Sequence, residues 1–228
     1  MTMSDDIKKS TCEKTISKLG ELYKQHGVDE KSLGWTKNKQ GKRFKQISHA
    51  FDLDGASILD IGCGFGDLLD YLHHSYPEAS FEYTGIDLMK EFIDVARDKH
   101  PGIEFVNTDF FEFGSDRKYK YIVNCGCFTF LDPKNEEESY GYIDNFITKA
   151  LDQCSEDGVC ICHFLTDKVD FRTSEEDFHV SPEKILNLAY THSRRVVLDN
   201  SVFPFEACLF IYKDDSFSVS TTTFTKAE

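Results

Sequence analysis

Nowhere in the 228 residues does an apolar run approach the roughly 20 residues needed to cross a bilayer, and the N-terminus has no charged start leading into an apolar core. The expectation is a soluble, cytoplasmic protein with no membrane partner. Proline is scarce, at five residues, and no Pro/Gly/Ser-rich stretch, repeat or low-complexity tract divides the chain. One sheet-bearing domain over residues 55–228 follows, preceded by a helical extension or lid over 1–54. Positive charge is in deficit: 26 Lys and Arg face 40 Asp and Glu, a net charge of −14. Such a surface repels phosphate polymers, which excludes bulk nucleic acid as a partner. The basic clusters at 37–45 and Arg194-Arg195 read as solvated faces.

Cysteine is not lacking, at eight residues, but the paired C-x₂-C knuckles of structural zinc sites are absent. Cys125, Cys160, Cys162 and Cys208 fall within apolar strand-like runs, where a reduced thiol acts as a small hydrophobe. The string Cys160-Ile161-Cys162-His163 is no ligand set either, because a strand would turn His163 away from both thiols. No metal is expected.

What is present is a nucleoside-binding pattern. Ser57-Ile58-Leu59-Asp60-Ile61 is a buried-strand run that feeds Gly62-Cys63-Gly64-Phe65-Gly66-Asp67. Alternate glycines let the chain turn tightly and bring bare backbone against a ligand. The spacing is G-x-G-x-G, not the G-x-G-x-x-G of dinucleotide sites. Asp60 and Asp67 would repel a pyrophosphate laid on these amides, so a cationic or zwitterionic guest fits better. Asp87 closes a second strand-like segment, Phe81 to Ile86, about 20 residues past the loop, where an acid holds a ribose diol. A third strand, Ile103 to Asn107, leads to Asp109 and Phe110, an acceptor and a ring suited to adenine.

On these residues the chain resembles the class I S-adenosylmethionine-dependent methyltransferases, whose E/D-x-G-x-G-x-G motif is matched by Asp60 to Gly66. The resemblance covers roughly residues 55–165. It implies that Gly62, Cys63, Gly64 and Gly66 line the methionine part and that Asp60 approaches the ammonium. It places Asp87, next to Leu88, at the ribose and Asp109 with Phe110 at adenine. Asn124, Gly126 and Phe128 fall at the border between methyl donor and acceptor. Leu33-Gly34-Trp35 with Gln40, Arg43 and Phe44, and later Phe203-Pro204-Phe205-Glu206, look like a group of bacterial small-molecule methyltransferases.

Strand-like and helix-like segments alternate from Ser57 onward, which predicts an α/β, doubly wound, mostly parallel sheet, and the resemblance implies seven strands with the last, reached through a Pro204-containing turn, antiparallel. Further strands are expected at Tyr119–Cys125, Val159–Phe164, Arg195–Leu198 and Ala207–Tyr212. Helices are expected near Ser10–His26, Lys42–Phe51, Asp67–His74, Met89–Lys99, Glu136–Cys154 and Pro182–His192.

Several residues admit two readings. Asp67 either caps the following helix or meets the cofactor. Phe110, Phe111 and Phe113 serve the core or the site, with a role placed only for Phe110. Trp35 is a lid or a packing staple, and Arg43 solvates a helix or binds the cofactor's carboxylate. No catalytic base is identified. His163 and Tyr140 are the candidates, with Tyr142, His179 and Glu206 behind them at mobile or rim positions. Asp132 and Asp199-Asn200 are set against a catechol-type metal site, but the latter pair follows the sixth strand instead of the fifth.

The expected activity is methyl transfer from S-adenosylmethionine to oxygen or nitrogen of a small-molecule acceptor by in-line displacement. The alternatives are a protein or peptide methyltransferase and a non-catalytic binder of the same cofactor. The segments 32–40 and 169–180 are expected to choose the acceptor.

Overall fold

The computed structural model describes residues 5–35, 39–169 and 174–216. The elements run α1 (Asp5–His26), a 3₁₀ turn (Glu30–Leu33), α2 (Gln40–Ser48), β1 (Ala56–Ile61), α3 (Asp67–Ser75), β2 (Phe81–Asp87), α4 (Lys90–Lys99) and β3 (Glu104–Asn107). They continue with β4 (Tyr119–Cys125), a second 3₁₀ turn (Cys127–Phe130), α5 (Glu136–Gln153), β5 (Cys154–Leu165), α6 (Pro182–His192), β6 (Val196–Asp199) and β7 (Glu206–Tyr212).

Local chemistry explains the helix boundaries. Asn135 caps α5 by accepting from Glu138 N at 3.3 Å, and Glu136, Glu137 and Glu138 meet the positive end of the helix dipole. Ser181 caps α6, whose first residue is Pro182, a position where the missing N–H costs nothing. Gly66, at φ 79°, is the N-cap of α3 in place of any side-chain cap.

The seven strands lie in the order β3-β2-β1-β4-β5-β7-β6. The first five are parallel and β7 is antiparallel to both β5 and β6. This is the expected doubly wound arrangement with the antiparallel final strand. Side chains alternate across the sheet. Leu59, Ile122, Cys160, Cys162 and Leu209 pack under α5 and α6, whereas Ile58, Tyr121, Val123, Ile161 and Phe210 pack with residues of α2, α3 and α4. A smaller cluster of Leu19, Phe65, Met89 and Phe92 fastens α1 to α4 and the glycine loop.

Several boundaries differ from the sequence reading, and α1 already begins at Asp5, five residues before Ser10. β5 begins at Cys154, directly after α5, and not at Val159. The register jumps between Tyr119 opposite Cys154 and Tyr121 opposite Val159, so Glu156-Asp157-Gly158 bulges out of a strand. α2 ends at Ser48, three residues before Phe51. All eight cysteines are free. His163 does lie on the opposite face of β5 from Cys160 and Cys162, whose sulfurs approach to 3.9 Å within the core.

Candidate functional site

A cavity of about 580 Å³, within the range of small-molecule sites, opens outside the carboxyl ends of the parallel strands. Strand order reverses between β1 and β4, which makes this the topological switch point. Asp60, Gly62, Cys63, Asp87, Leu88 and Asp109 line it. So do Phe110, Asn124, Gly126, Arg43, Trp35 and His163. Gly64, Gly66 and Tyr140 are not on its wall.

At one end the site is made by backbone. Gly62 N and Cys63 N donate to Ile86 O at 2.8 and 3.0 Å, pinning the glycine loop to the end of β2. Gly62 has φ 73°, and a Cβ there would stand 2.4 Å from Cys127 Sγ. Gly64 N donates to Asp87 Oδ2 at 2.9 Å, and Met89 N to Asp87 Oδ1 at 2.8 Å. These amides stabilise the charged carboxylate, yet burial outweighs them and pushes the Asp87 pKa up to about 6. Leu33 covers Gly64, and Gly66 shapes the start of α3. The second and third loop glycines therefore form the turn without forming its wall.

Asp60 lies on the floor, 3% exposed, and accepts from Tyr83 Oη at 2.5 Å. Burial, reinforced by the charges of Asp87 and Asp67, drives its pKa up to about 7 against the pull of Tyr83. Two strained carboxyls thus face one cavity. Asn124 accepts from Cys127 N through Oδ1 at 3.1 Å, while its buried Nδ2 has no partner among the described residues. Asp109 accepts from Phe111 N at 3.0 Å and from Cys12 Sγ at 3.3 Å. Phe110 is largely core, with its ring 4.8 Å from Phe146.

At the other end the site is made by side chains. Arg43 of α2 donates from Nε to Glu206 Oε2 at 2.7 Å and from Nη2 to Oε1. Both residues are buried, and Arg43 Nη1 has no partner among the described residues. The guanidinium lies 4.3 Å from the Trp35 ring centre, and Trp35 in turn packs on Gly126, where a Cβ would meet the ring at 2.5 Å. His163 Nε2 lies 3.2 Å from Glu206 Oε2, out of line for a hydrogen bond. Burial and the Arg43 charge lower the His163 pKa despite that carboxylate.

The remaining candidates fall as follows. Asp67 is not the cap of α3. It receives Gln40 Nε2 and Lys99 Nζ, both at 3.1 Å, and so ties α2 and α4 to the loop. Tyr140 Oη accepts from Ser181 N at 2.8 Å, packs on Phe178 and holds α6 in place of reaching the cavity. Phe128 is buried in the core, whereas Tyr142, His179 and Glu206 line the cavity. Residues 178–180 are no loose rim: backbone bonds join Phe178 N to Thr129 O and Val180 N to Leu165 O, at 3.0 and 2.8 Å. Parts of the two expected acceptor-choosing segments, residues 36–38 and 170–173, lie outside the described residues. Asp132 and Asp199 are off the cavity wall, and among the described residues no three His, Cys, Asp or Glu are grouped to hold a metal.

The sequence reading missed the wall that α1 contributes. Cys12, Thr15, Leu19 and Leu22 line the cavity at the i, i+3, i+7, i+10 spacing of one helix face, a signal that was available. Lys18 of the same helix pairs with Asp177 at 2.9 Å across the cavity mouth.

Sheet order, glycine turn and switch-point cavity together define a Rossmann-like methyltransferase fold. Residues 58–150 match the family described as a methyltransferase domain. Over 141 residues the chain is 31% identical to a malonyl-[acyl-carrier protein] O-methyltransferase of Halalkalibacterium halodurans, a span of 57% of this chain and 49% of that protein. A fatty-acid O-methyltransferase of Mycolicibacterium smegmatis is 38% identical over 60 residues, 25% of this chain and 21% of that one. The chain spans half or less of the length of these curated relatives. Among solved structures, the plantazolicin methyltransferase BpumL, in complex with a triazolic desmethyl analogue and S-adenosylhomocysteine, superposes with a TM-score of 0.63 at 17% identity, covering 90% of this chain and 98% of that one. The N-methyltransferase NodS from Bradyrhizobium japonicum, with S-adenosylhomocysteine, gives 0.60 at 13% identity over 86% and 98%.

Proposed function

We propose that the protein transfers a methyl group from S-adenosylmethionine to an oxygen or nitrogen of a small-molecule acceptor, in the cytoplasm. The observation that carries this reading is the pairing of two buried carboxyls, Asp60 and Asp87, with a glycine turn on one cavity. That arrangement disfavours phosphate and favours a guest bearing an ammonium, a ribose and a sulfonium. The cofactor supplies an already activated methyl electrophile, so the protein has chiefly to desolvate and align the reactants.

The chain's residues fit that group. Asp60 receives the ammonium, and Asp87, beside Leu88, retains acceptor capacity for ribose hydroxyls after taking two amides. Asp109 and Phe110 border the adenine. Gly62 and Cys63 flank the methionine chain, with Gly64 and Gly66 setting the turn. Asn124 Nδ2 and Arg43 Nη1 are buried donors in want of an acceptor, and a carboxylate beside Gly126 and Trp35 satisfies Arg43. Residues 1–54 act as the lid. The wall that α1 and Trp35 add to the cavity supports a small acceptor over an extended peptide laid in an open groove.

Calorimetric titration tests the reading. S-adenosylhomocysteine is expected to bind at micromolar or tighter concentration, with no heat from a nicotinamide dinucleotide. The reverse ranking would sink it. Labelled methyl donor offered with separate metabolite and protein extracts should then mark the metabolite fraction.

A further inference from the structure

His179 stands between two buried anchors, Phe178 and Val180, which alternation turns away from it. The segment is stitched to both strand ends beyond the donor half of the cavity. Phe178 N binds Thr129 O in the turn after β4, Val180 N binds Leu165 O, and Asp167 N binds Val180 O at 3.1 Å. Thr166 and Val180 form a parallel bridge at the tip of β5. The imidazole is therefore held by backbone and not by a loose loop.

Its tautomer is fixed as well. Nδ1 lies 2.8 Å from Thr166 O, and a carbonyl oxygen only accepts, so Nδ1 carries the hydrogen. In the neutral ring the lone pair then sits on Nε2, which is buried, belongs to a cavity-lining side chain and has no partner among the described residues. His163, the other imidazole on the wall, lacks this arrangement. Neither of its nitrogens is hydrogen-bonded to fix a tautomer, and it lies against the Arg43–Glu206 pair.

We propose that His179 Nε2 is the general base of this site and that the acceptor is accordingly protic, a hydroxyl, phenol or amine and not a carboxylate. The inference rests on the methyl-transfer reading. The acceptor's lone pair forms the new bond to the methyl carbon as the carbon–sulfur bond breaks, and the bonding electrons leave with sulfur as the neutral thioether. The acceptor's proton passes to Nε2, giving an imidazolium that later returns it to water. A carboxylate has no proton to give and would leave this geometry without use.

The first test needs no acceptor. In ¹⁵N-histidine-labelled protein the neutral form of His179, assigned by loss of its signals in His179→Gln, is expected as the Nδ1–H tautomer with the lone pair on Nε2. Kinetics follow, with 4-nitrophenol, octanol and octylamine as protic probes and octanoate as the carboxylate probe. His179→Ala is expected to lower kcat for a protic probe by about 100-fold or more and to regain activity with added imidazole. Its affinity for S-adenosylhomocysteine should stay within about threefold of the parent, since the base touches the acceptor and not the donor. An Nε2–H tautomer, turnover little changed in His179→Ala, turnover confined to octanoate, or silence on every protic probe would overturn the proposal. Failure of the parent protein to bind S-adenosylhomocysteine would instead remove the reading beneath it.

Discussion

The two ends of the cavity are built by different means. At the β1–β2 end, consecutive residues of one turn form the wall from backbone whose amides are tied to Ile86 O and Asp87, and the side chains that matter, Asp60 and Asp87, sit at fixed strand tips. At the β5–β7 end, Arg43, His163, His179 and Glu206 come from four distant stretches of chain. A site made of backbone is indifferent to most substitutions but intolerant of a Cβ. A site made of side chains can be altered residue by residue, at the risk of stranding a buried charge. The first end is suited to a constant guest, and at the second the residues other than Arg43 leave room for a guest that varies.

The largest effect should come from the side-chain end. Glu206→Gln leaves Arg43 buried without its counter-charge, a loss of about 3–5 kcal/mol, read by denaturant unfolding. Arg43→Met with Glu206→Leu should recover most of that stability while still binding S-adenosylhomocysteine poorly. If the single substitution is neutral, the contrast between the two ends fails.

The backbone end is tested by Gly62→Ala. The positive φ and the Cys127 sulfur combine to cost about 3 kcal/mol, or ~100-fold in affinity for S-adenosylhomocysteine. Combining it with Cys127→Ala separates the two causes, because only the collision is relieved.

A smaller, pH-dependent effect distinguishes the carboxyls. Folding raises Asp60 from 3.8 to about 7 and Asp87 from 3.8 to about 6. Folded values above unfolded ones mean that the stability these groups contribute is complete below about pH 4 and is lost as pH climbs through 6 to 7. A guest carrying an ammonium reverses the preference, since it binds the ionised form. Affinity for S-adenosylhomocysteine should rise between pH 6 and about 7.5, with proton release visible as a buffer-dependent heat. Asp60→Asn is expected to lose about tenfold in affinity and to flatten that rise. An unchanged profile would place the ammonium elsewhere.

The smallest effect belongs to the cavity mouth. Lys18→Ala breaks a partly buried pair with Asp177 and should cost under about 1 kcal/mol, measured as a thermal shift.

Legibility in the sequence follows the same division. Alternating apolar runs and the glycine turn exposed the sheet and the β1–β2 end, because those features repeat at fixed spacing along the chain, whereas the antiparallel final strand came from the family resemblance. The Glu206–Arg43 pair joins residues 163 positions apart, a distance no local pattern encodes. Asp67 looked like a helix cap because acids commonly stand there, but Gly66 holds that position and Asp67 turned instead to Gln40 and Lys99. Tyr140 stood among the candidate bases, yet its hydroxyl is held by Ser181 N. His179 was set aside as part of a mobile rim, since the bridge between Thr166 and Val180 exists only in three dimensions.

Trp35 is the chain's sole tryptophan, and it lies over Gly126 with the Arg43 guanidinium against its ring. All indole emission therefore originates at the cavity rim. Quenching or a spectral shift on adding a nucleoside, recorded without label or engineered dye, becomes a direct optical gauge of occupancy.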